Sequence, residues 1–235
     1  MKKHMTKKVF ILAAAFAVSF STVSGQLPLS TMQSIEGRIN SSGEYLMQIG
    51  DDETVLGTPY INEDFMKGDI KMGGEWYEGV DLRYDAYSGI FEVKAEDQVY
   101  VISPTATPAD SIIFNKEVYV LRDMNPGKPL KPQYLVWLYE DNHYGLGKKY
   151  RVWLKNAVPS DGYTDEQPAE FRNNPPTYYI FSDDGPHEIR NRGTIAEVLG
   201  VETRQVRRLM RKNNYRLNNE QDLVQIIKHF AGRSN

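Results

Sequence analysis

The chain of 235 residues contains no cysteine, which removes disulfides, thiolate nucleophiles, thiolate metal sites and lipid attachment through an N-terminal cysteine together. Histidine is nearly as scarce. Beyond His4 only His143, His187 and His229 occur, far apart and with no pair at metal-ligand spacing. There is no G-x-S-x-G elbow, S-x-x-K dyad, H-E-x-x-H helix or phosphate-binding glycine loop. No apolar run reaches the roughly 18 residues of a membrane-crossing helix. Reactive chemistry would have to use oxygen or nitrogen groups, and the pattern implies no cofactor and no metal.

What is present begins with a leader. Lys2, Lys3, Lys7 and Lys8 precede an apolar stretch over 9–18 and small side chains over 19–25. This is the layout of a secretory signal peptide: a basic end, a short apolar helix and a small-residue cleavage site. Cleavage after Gly25 would leave Gln26 first. The expected destination is the periplasm, cell envelope or exterior, with no transmembrane anchor in the mature chain.

Removing residues 1–25 deletes four lysines and no acid, so the mature chain carries 24 basic and 31 acidic residues, a net of −7. From 26 to 185 there are 14 basic against 26 acidic residues, and from 186 to 235 there are 10 against 5. An acidic body therefore carries a basic tail. Such asymmetry marks either an interaction surface or two segments that attract one another.

The organisation follows the hydrophobic period. Residues 26–43 form a lead-in segment with one strand expected near 35–39. Residues 44–185 read as a β-rich body of short strands, at 69–72, 75–77, 80–84, 90–94, 98–102, 111–114, 117–121, 134–140, 149–154, 169–171 and 178–181. Gly73-Gly74 supplies the positive φ angles of a tight hairpin, and Val80, Leu82 and Tyr84 alternate with Asp81 and Arg83. Pro126-Gly127, Pro129, Pro132 and Pro175-Pro176 read as loop breaks. Close hairpins without intervening helices predict an antiparallel meander rolled into a sandwich or partly open barrel.

Residues 186–235 switch to helical periodicity. Thr194-Ile195-Ala196-Glu197 reads as a capping box, and Gly200 ends the first helix. A second helix is expected over 203–213, burying Val206, Leu209 and Met210. Asn219 caps a third that aligns Leu223, Ile226, Ile227 and Phe230 on one face. The predicted class is α+β, mainly β.

Residues 194–209 resemble a bacterial helix-turn-helix, with Ala196 at the helix contact, Gly200 in the turn and Val206 packing behind it. In that family the second helix enters the major groove, and Arg204, Arg207, Arg208 and Arg211 would neutralise phosphate. Two short helices joined by a glycine turn meet the same spacing without DNA. An exported protein with an acidic body does not meet the chromosome, so nucleic acid is disfavoured as a partner.

The acidic clusters Asp51-Asp52-Glu53 and Asp183-Asp184 sit near glycines as turn residues do, and lack the alternating register of a calcium loop. A carboxylate pair for an envelope hydrolase is chemically available but not selected by any spacing. Aromatic residues cluster around 134–153. Alternation places Trp137 with Leu135 and Tyr139 on one face and Tyr134, Val136 and Leu138 on the other. Such a strand belongs in a core. The functional alternative is a groove lined by Trp137, Tyr139, Tyr150 and Trp153 for a glycan, an envelope protein or a small apolar ligand.

The stretch Gly57-Thr58-Pro59-Tyr60-Ile61-Asn62-Glu63-Asp64-Phe65, continued through Lys67-Gly68-Asp69-Ile70, 80–87 and Phe91-Glu92-Val93, resembles uncharacterised exported proteins of Bacteroidota. Their plan is a signal peptide, a strand-rich body opening with "G-x-P-Y-x-N-x-x-F", and a short helical end. The resemblance implies an envelope or extracellular location and transfers no activity. The expectation is therefore an exported, non-enzymatic binding or interaction protein, against which stand a DNA-binding regulator and a carboxylate-dependent hydrolase.

Overall fold

Short alternating strands joined by tight turns pair with their neighbours in sequence, because little loop entropy is lost in closing a hairpin. The computed structural model describes residues 27–31, 33–34, 55–125, 131–160, 162–163 and 165–232. The leader, the strand expected near 35–39, Asp51-Asp52-Glu53 and the loop signals Pro126-Gly127 and Pro129 lie outside the described residues.

After a short 3₁₀ turn (Leu29–Thr31) come β1 (Gln33–Ser34), β2 (Met66–Met72), β3 (Glu75–Asp85), β4 (Ile90–Ala95), β5 (Gln98–Ile102) and β6 (Ser111–Phe114). These are followed by β7 (Glu117–Asp123), β8 (Pro132–Glu140), β9 (Gly145–Lys155), β10 (Glu170–Ser182) and β11 (Gly185–Glu188). Three helices close the chain: α1 (Arg192–Val198), α2 (Thr203–Asn213) and α3 (Glu220–Ala231). The class is α+β, mainly β, as its sequence predicts. No helix among the described residues is long and apolar enough to cross a membrane.

All eleven strands belong to one antiparallel sheet in the order β1-β5-β4-β3-β2-β6-β7-β8-β9-β10-β11, open at β1 and β11. Two meanders are joined by residues 103–110, which carry the chain back across β4, β3 and β2 to lay β6 beside β2, as in a Greek key. The sheet is strongly rolled. β4 and β8 lie five interstrand steps apart, about 24 Å on a flat sheet, yet the rings of Phe91 and Tyr134 are 5.6 Å apart. Phe91 also meets Tyr84 at 4.7 Å and Tyr119 at 4.9 Å. This aromatic cluster, with Ile70, Leu82, Ile102, Ile112 and Phe114, is the first core.

A second core forms where the helices cover the β8–β10 end of the sheet, joining Leu146, Tyr178 and Ile180 to Ile195, Val206, Leu223, Ile226, Ile227 and Phe230. One face of β9 supplies both cores in turn: Leu146 to the helical one, Tyr150, Val152 and Leu154 to the other. Lys148 falls on that face at the seam.

Four local expectations are corrected. Pro175-Pro176 does not break the chain: the strands expected at 169–171 and 178–181 are one strand, β10, with a register shift between Asn174 and Thr177. A bulge removes the need for ladder hydrogen bonds that proline cannot make. Pro132 likewise begins β8 rather than breaking it. The sheet runs past Gly185, because β11 pairs with β10 through Asp183-Asp184 as the hairpin turn. A second register shift between Trp137 and Tyr139 puts these residues on opposite faces of β8, since an extra residue inverts the alternation.

Within the stretch 57–65, Gly57, Pro59, Tyr60 and Phe65 each make a defined contact, whereas the Asn62 Nδ2 is buried without a hydrogen-bond partner among the described residues. Leu56 pairs with β10, donating to the Ala169 carbonyl at 2.8 Å and accepting from the Phe171 N–H at 2.8 Å. Gly57, at φ +72°, lies so close to β10 that a Cβ would stand 2.6 Å from the Phe171 carbonyl oxygen. The Pro59 carbonyl accepts from Ala86 N–H at 2.9 Å. Tyr60 and Phe65 then sandwich Arg83, its guanidinium carbon 3.8 Å and 4.4 Å from their ring centroids. The segment is a strap that ties β10 to β3 and seals the outer face of β3 and β4.

Candidate functional site

The basic end of the chain is assembled from three capped helices. Asn191 caps α1, its Oδ1 accepting from Gly193 N–H at 2.7 Å and Thr194 N–H at 3.2 Å. The expected Thr194 capping box is therefore displaced: Asn191 satisfies the first free donors, so the helix starts before Thr194 and encloses it. At the far end Gly200, at φ +63°, reverses the chain. Val201 N–H donates to Ala196 at 2.9 Å and Gly200 N–H to Glu197 at 3.2 Å, the paired bonds of a Schellman turn. α2 spans the expected residues 203–213 and buries Val206 and Met210, with Leu209 partly covered. Asn219 caps α3 by accepting from Asp222 N–H at 3.0 Å.

Because Val206 and Met210 face the core, the remaining faces of α2 present Arg204, Arg207, Arg208, Arg211 and Lys212 to solvent. Arg204 pairs with Glu202. The other four make no ion pair among the described residues. Two open depressions flank this helix. One, of about 510 Å³, is lined wholly by the five basic side chains. The other, about 620 Å³, runs between α2 and α3. Arg208, Lys212 and Lys228 supply its charge, His229 an imidazole, Gln205, Asn213 and Gln225 its amides, and Tyr215, Leu209 and Phe230 its apolar floor. Among the described residues neither depression is lined by an acid, and Arg208 and Lys212 belong to both. The structure thus brings together the four arginines that the sequence singles out. It adds Lys228, Gln225 and Tyr215, which the sequence reading missed because they come from the loop and helix after the motif.

The aromatic residues do not come together in the same way. Trp137 lies on the outer face, its ring 5.1 Å from Phe181, with the Arg122 guanidinium 4.3 Å from its centroid. A Cβ at Gly145 would fall on that ring, so the glycine makes room for the tryptophan. Tyr139 is on the helical side of the sheet, its hydroxyl donating to Asp141 at 2.6 Å and its ring 5.3 Å from the Lys228 ammonium. Tyr150 packs against the first core, while Trp153 stands exposed on the other face of β9. The four residues do not line one groove.

Two of the most enclosed charged groups of the body, Lys148 and Glu92, are engaged with polar partners. Lys148 is only 3% exposed and saturates its three donors with Glu117, with Glu220 at 2.8 Å and with the Tyr150 hydroxyl at 3.1 Å. Burial alone would lower its pKa, but the hydrogen bonds to Glu117, Glu220 and Tyr150 hold it above the ordinary lysine value. Burial likewise raises the Tyr119 hydroxyl, helped by Glu117. Glu92, 1% exposed, accepts from Arg83 at 3.0 Å and 2.6 Å and from the Tyr60 hydroxyl at 3.3 Å. His187 lies 3.3 Å from the Ser182 hydroxyl. Among the described residues no three metal-ligating side chains converge.

Comparison with protein-family models, curated proteins and solved structures finds nothing that matches this chain.

Proposed function

We propose that the protein is exported to the periplasm or cell envelope and acts there without catalysis, by binding through the basic helical end that the β body holds in place. The observation that carries the reading is the contrast in ion pairing. Two enclosed cations of the body, Arg83 and Lys148, are neutralised, whereas Arg207, Arg208, Arg211 and Lys212 stand together on one exposed helix surface without an acidic partner among the described residues. Structural arginines are usually paired. A contiguous unpaired set on a rigid, capped helix is the pattern of a surface held ready for an anionic partner. The lysine-rich leader and the resemblance to exported Bacteroidota proteins support the compartment.

Two measurements test this. Fractionation with N-terminal sequencing should find the protein outside the cytoplasm beginning at Gln26; a cytoplasmic protein retaining its leader overturns export. Mature protein should co-sediment with isolated envelopes at low salt, and the Arg207→Glu/Arg211→Glu variant should not. Equal sedimentation of the two overturns the role of the helix.

A second reading rests on the α1-turn-α2 geometry, whose Schellman turn and exposed arginines suit a DNA major groove. It requires a cytoplasmic protein with salt-sensitive duplex binding, so the same fractionation discriminates.

A further inference from the structure

Resting on the binding role just given, we infer that the α2–α3 groove and the basic face beside it form one binding site for an acidic polysaccharide carrying carboxylate or sulfate groups. Three features specify this partner. First, the two depressions lie on either side of a ridge made by Arg208 and Lys212, which line both. A chain crossing that ridge would meet cations continuously, so the surface suits a polymer better than a single small anion. Second, the groove is not lined by charge alone. Gln225 places an amide donor and acceptor beside Arg208, Lys212 and Lys228, and Asn213, whose Nδ2 donates to the Leu209 carbonyl at 3.0 Å, adds its amide oxygen, matching a ligand that alternates hydroxyls with anionic groups. Third, Tyr215 offers a partly exposed ring at the groove, a surface on which a sugar ring can rest.

The same features set aside the other polyanions. A lipid surface calls for apolar side chains projecting beside the cations, whereas the apolar residues here, Leu209 and Phe230, form a recessed floor. A duplex would approach the convex face of α2 and bring the acidic body with it, leaving Gln225 and Tyr215 without a role.

The test uses the full mature chain with a sulfated glycan (heparin), a carboxylated one (polygalacturonate), neutral dextran, a short DNA duplex and phosphatidylglycerol vesicles, read by calorimetry at two salt concentrations. At least one acidic glycan should bind and weaken as salt rises, and dextran should not bind. Arg208→Gln/Lys212→Gln should weaken glycan binding by about tenfold or more. Gln225→Ala, at an exposed helical position where alanine keeps the fold, should weaken it several-fold, and Arg172→Gln, beside Phe171 at the first-core end of β10, should leave it unchanged. Tighter binding to duplex or vesicles than to either glycan overturns the inference, as does glycan binding that Gln225→Ala leaves intact. Envelope co-sedimentation that persists while both glycans fail to bind overturns the glycan alone and leaves the binding role standing.

Discussion

Arg83 and the arginines of α2 carry the same charge in opposite settings. Arg83 lies between the rings of Tyr60 and Phe65, gives two hydrogen bonds to buried Glu92 and a third, at 3.1 Å, to the Glu63 carbonyl. Arg207, Arg208 and Arg211 stand on a helix with no acid paired to them among the described residues. The first setting consumes the charge to hold a strap on a sheet, and the second leaves it available. The net basicity of residues 186–235 is therefore not simply attraction to an acidic body. The one ion pair between body and helices among the described residues, Lys148 with Glu220, has its cation on the sheet and its acid on the helix.

Removing the partnered charge has the largest expected effect. Arg83→Ala strands Glu92 in a site where it is 1% exposed, and urea unfolding should show a loss of about 3–5 kcal/mol. Replacing both partners, as Arg83→Met/Glu92→Leu, should recover much of it; a double variant no better than the single one would show that the strap depends on the ion pair itself.

Lys148→Met should cost somewhat less, about 2–3 kcal/mol, because Glu117 and Glu220 keep 21% and 38% side-chain exposure and can recruit water. The pH dependence has a definite sign. The folded-state pKa of Lys148 is raised above its unfolded value, so its contribution is fully present below about pH 10.4 and is lost as pH rises through the folded value. Chemical unfolding between neutrality and pH 11 should therefore show a smaller alkaline loss in the variant than in the natural protein.

Asn219→Ala, which removes the α3 cap, should lower stability by about 1 kcal/mol, measured by thermal unfolding. Smallest of all, Arg207→Ala/Arg211→Ala should change stability by less than about 0.5 kcal/mol while weakening envelope association. A large stability loss there would make α2 structural and erase the distinction between the two sets of arginines.

Several elements were legible without coordinates. β5 and β6 span the expected 98–102 and 111–114, and Met72 pairs with Glu75 across the Gly73-Gly74 turn. α2 and the Asn219 cap of α3 follow directly from helical spacing and capping chemistry. Misreadings arose where tertiary pairing overrode a local signal. Pro175-Pro176 looks like a break but sits in a bulge that the neighbouring β9 ladder tolerates, and a bulge after Trp137 inverted the faces read from alternation. Lys148 did leave a trace: it interrupts the inward series Leu146, Tyr150, Val152, Leu154, and a lone cation in an apolar series needs a buried partner. Its partners come from β7 and α3, 31 and 72 residues away in sequence.

By itself the sequence determined the α+β class, the location of most strands and helices and the gathering of arginine on one helix, because these depend on periods of two and 3.6 and on capping contacts a few residues apart. Tertiary structure alone decided that the sheet rolls until Phe91 meets Tyr134, that Tyr60 and Phe65 close over Arg83, and that Lys228, Gln225 and Tyr215 join the arginines in a groove. Those contacts link residues distant along the chain, and sequence spacing places no constraint on them until the cores have formed.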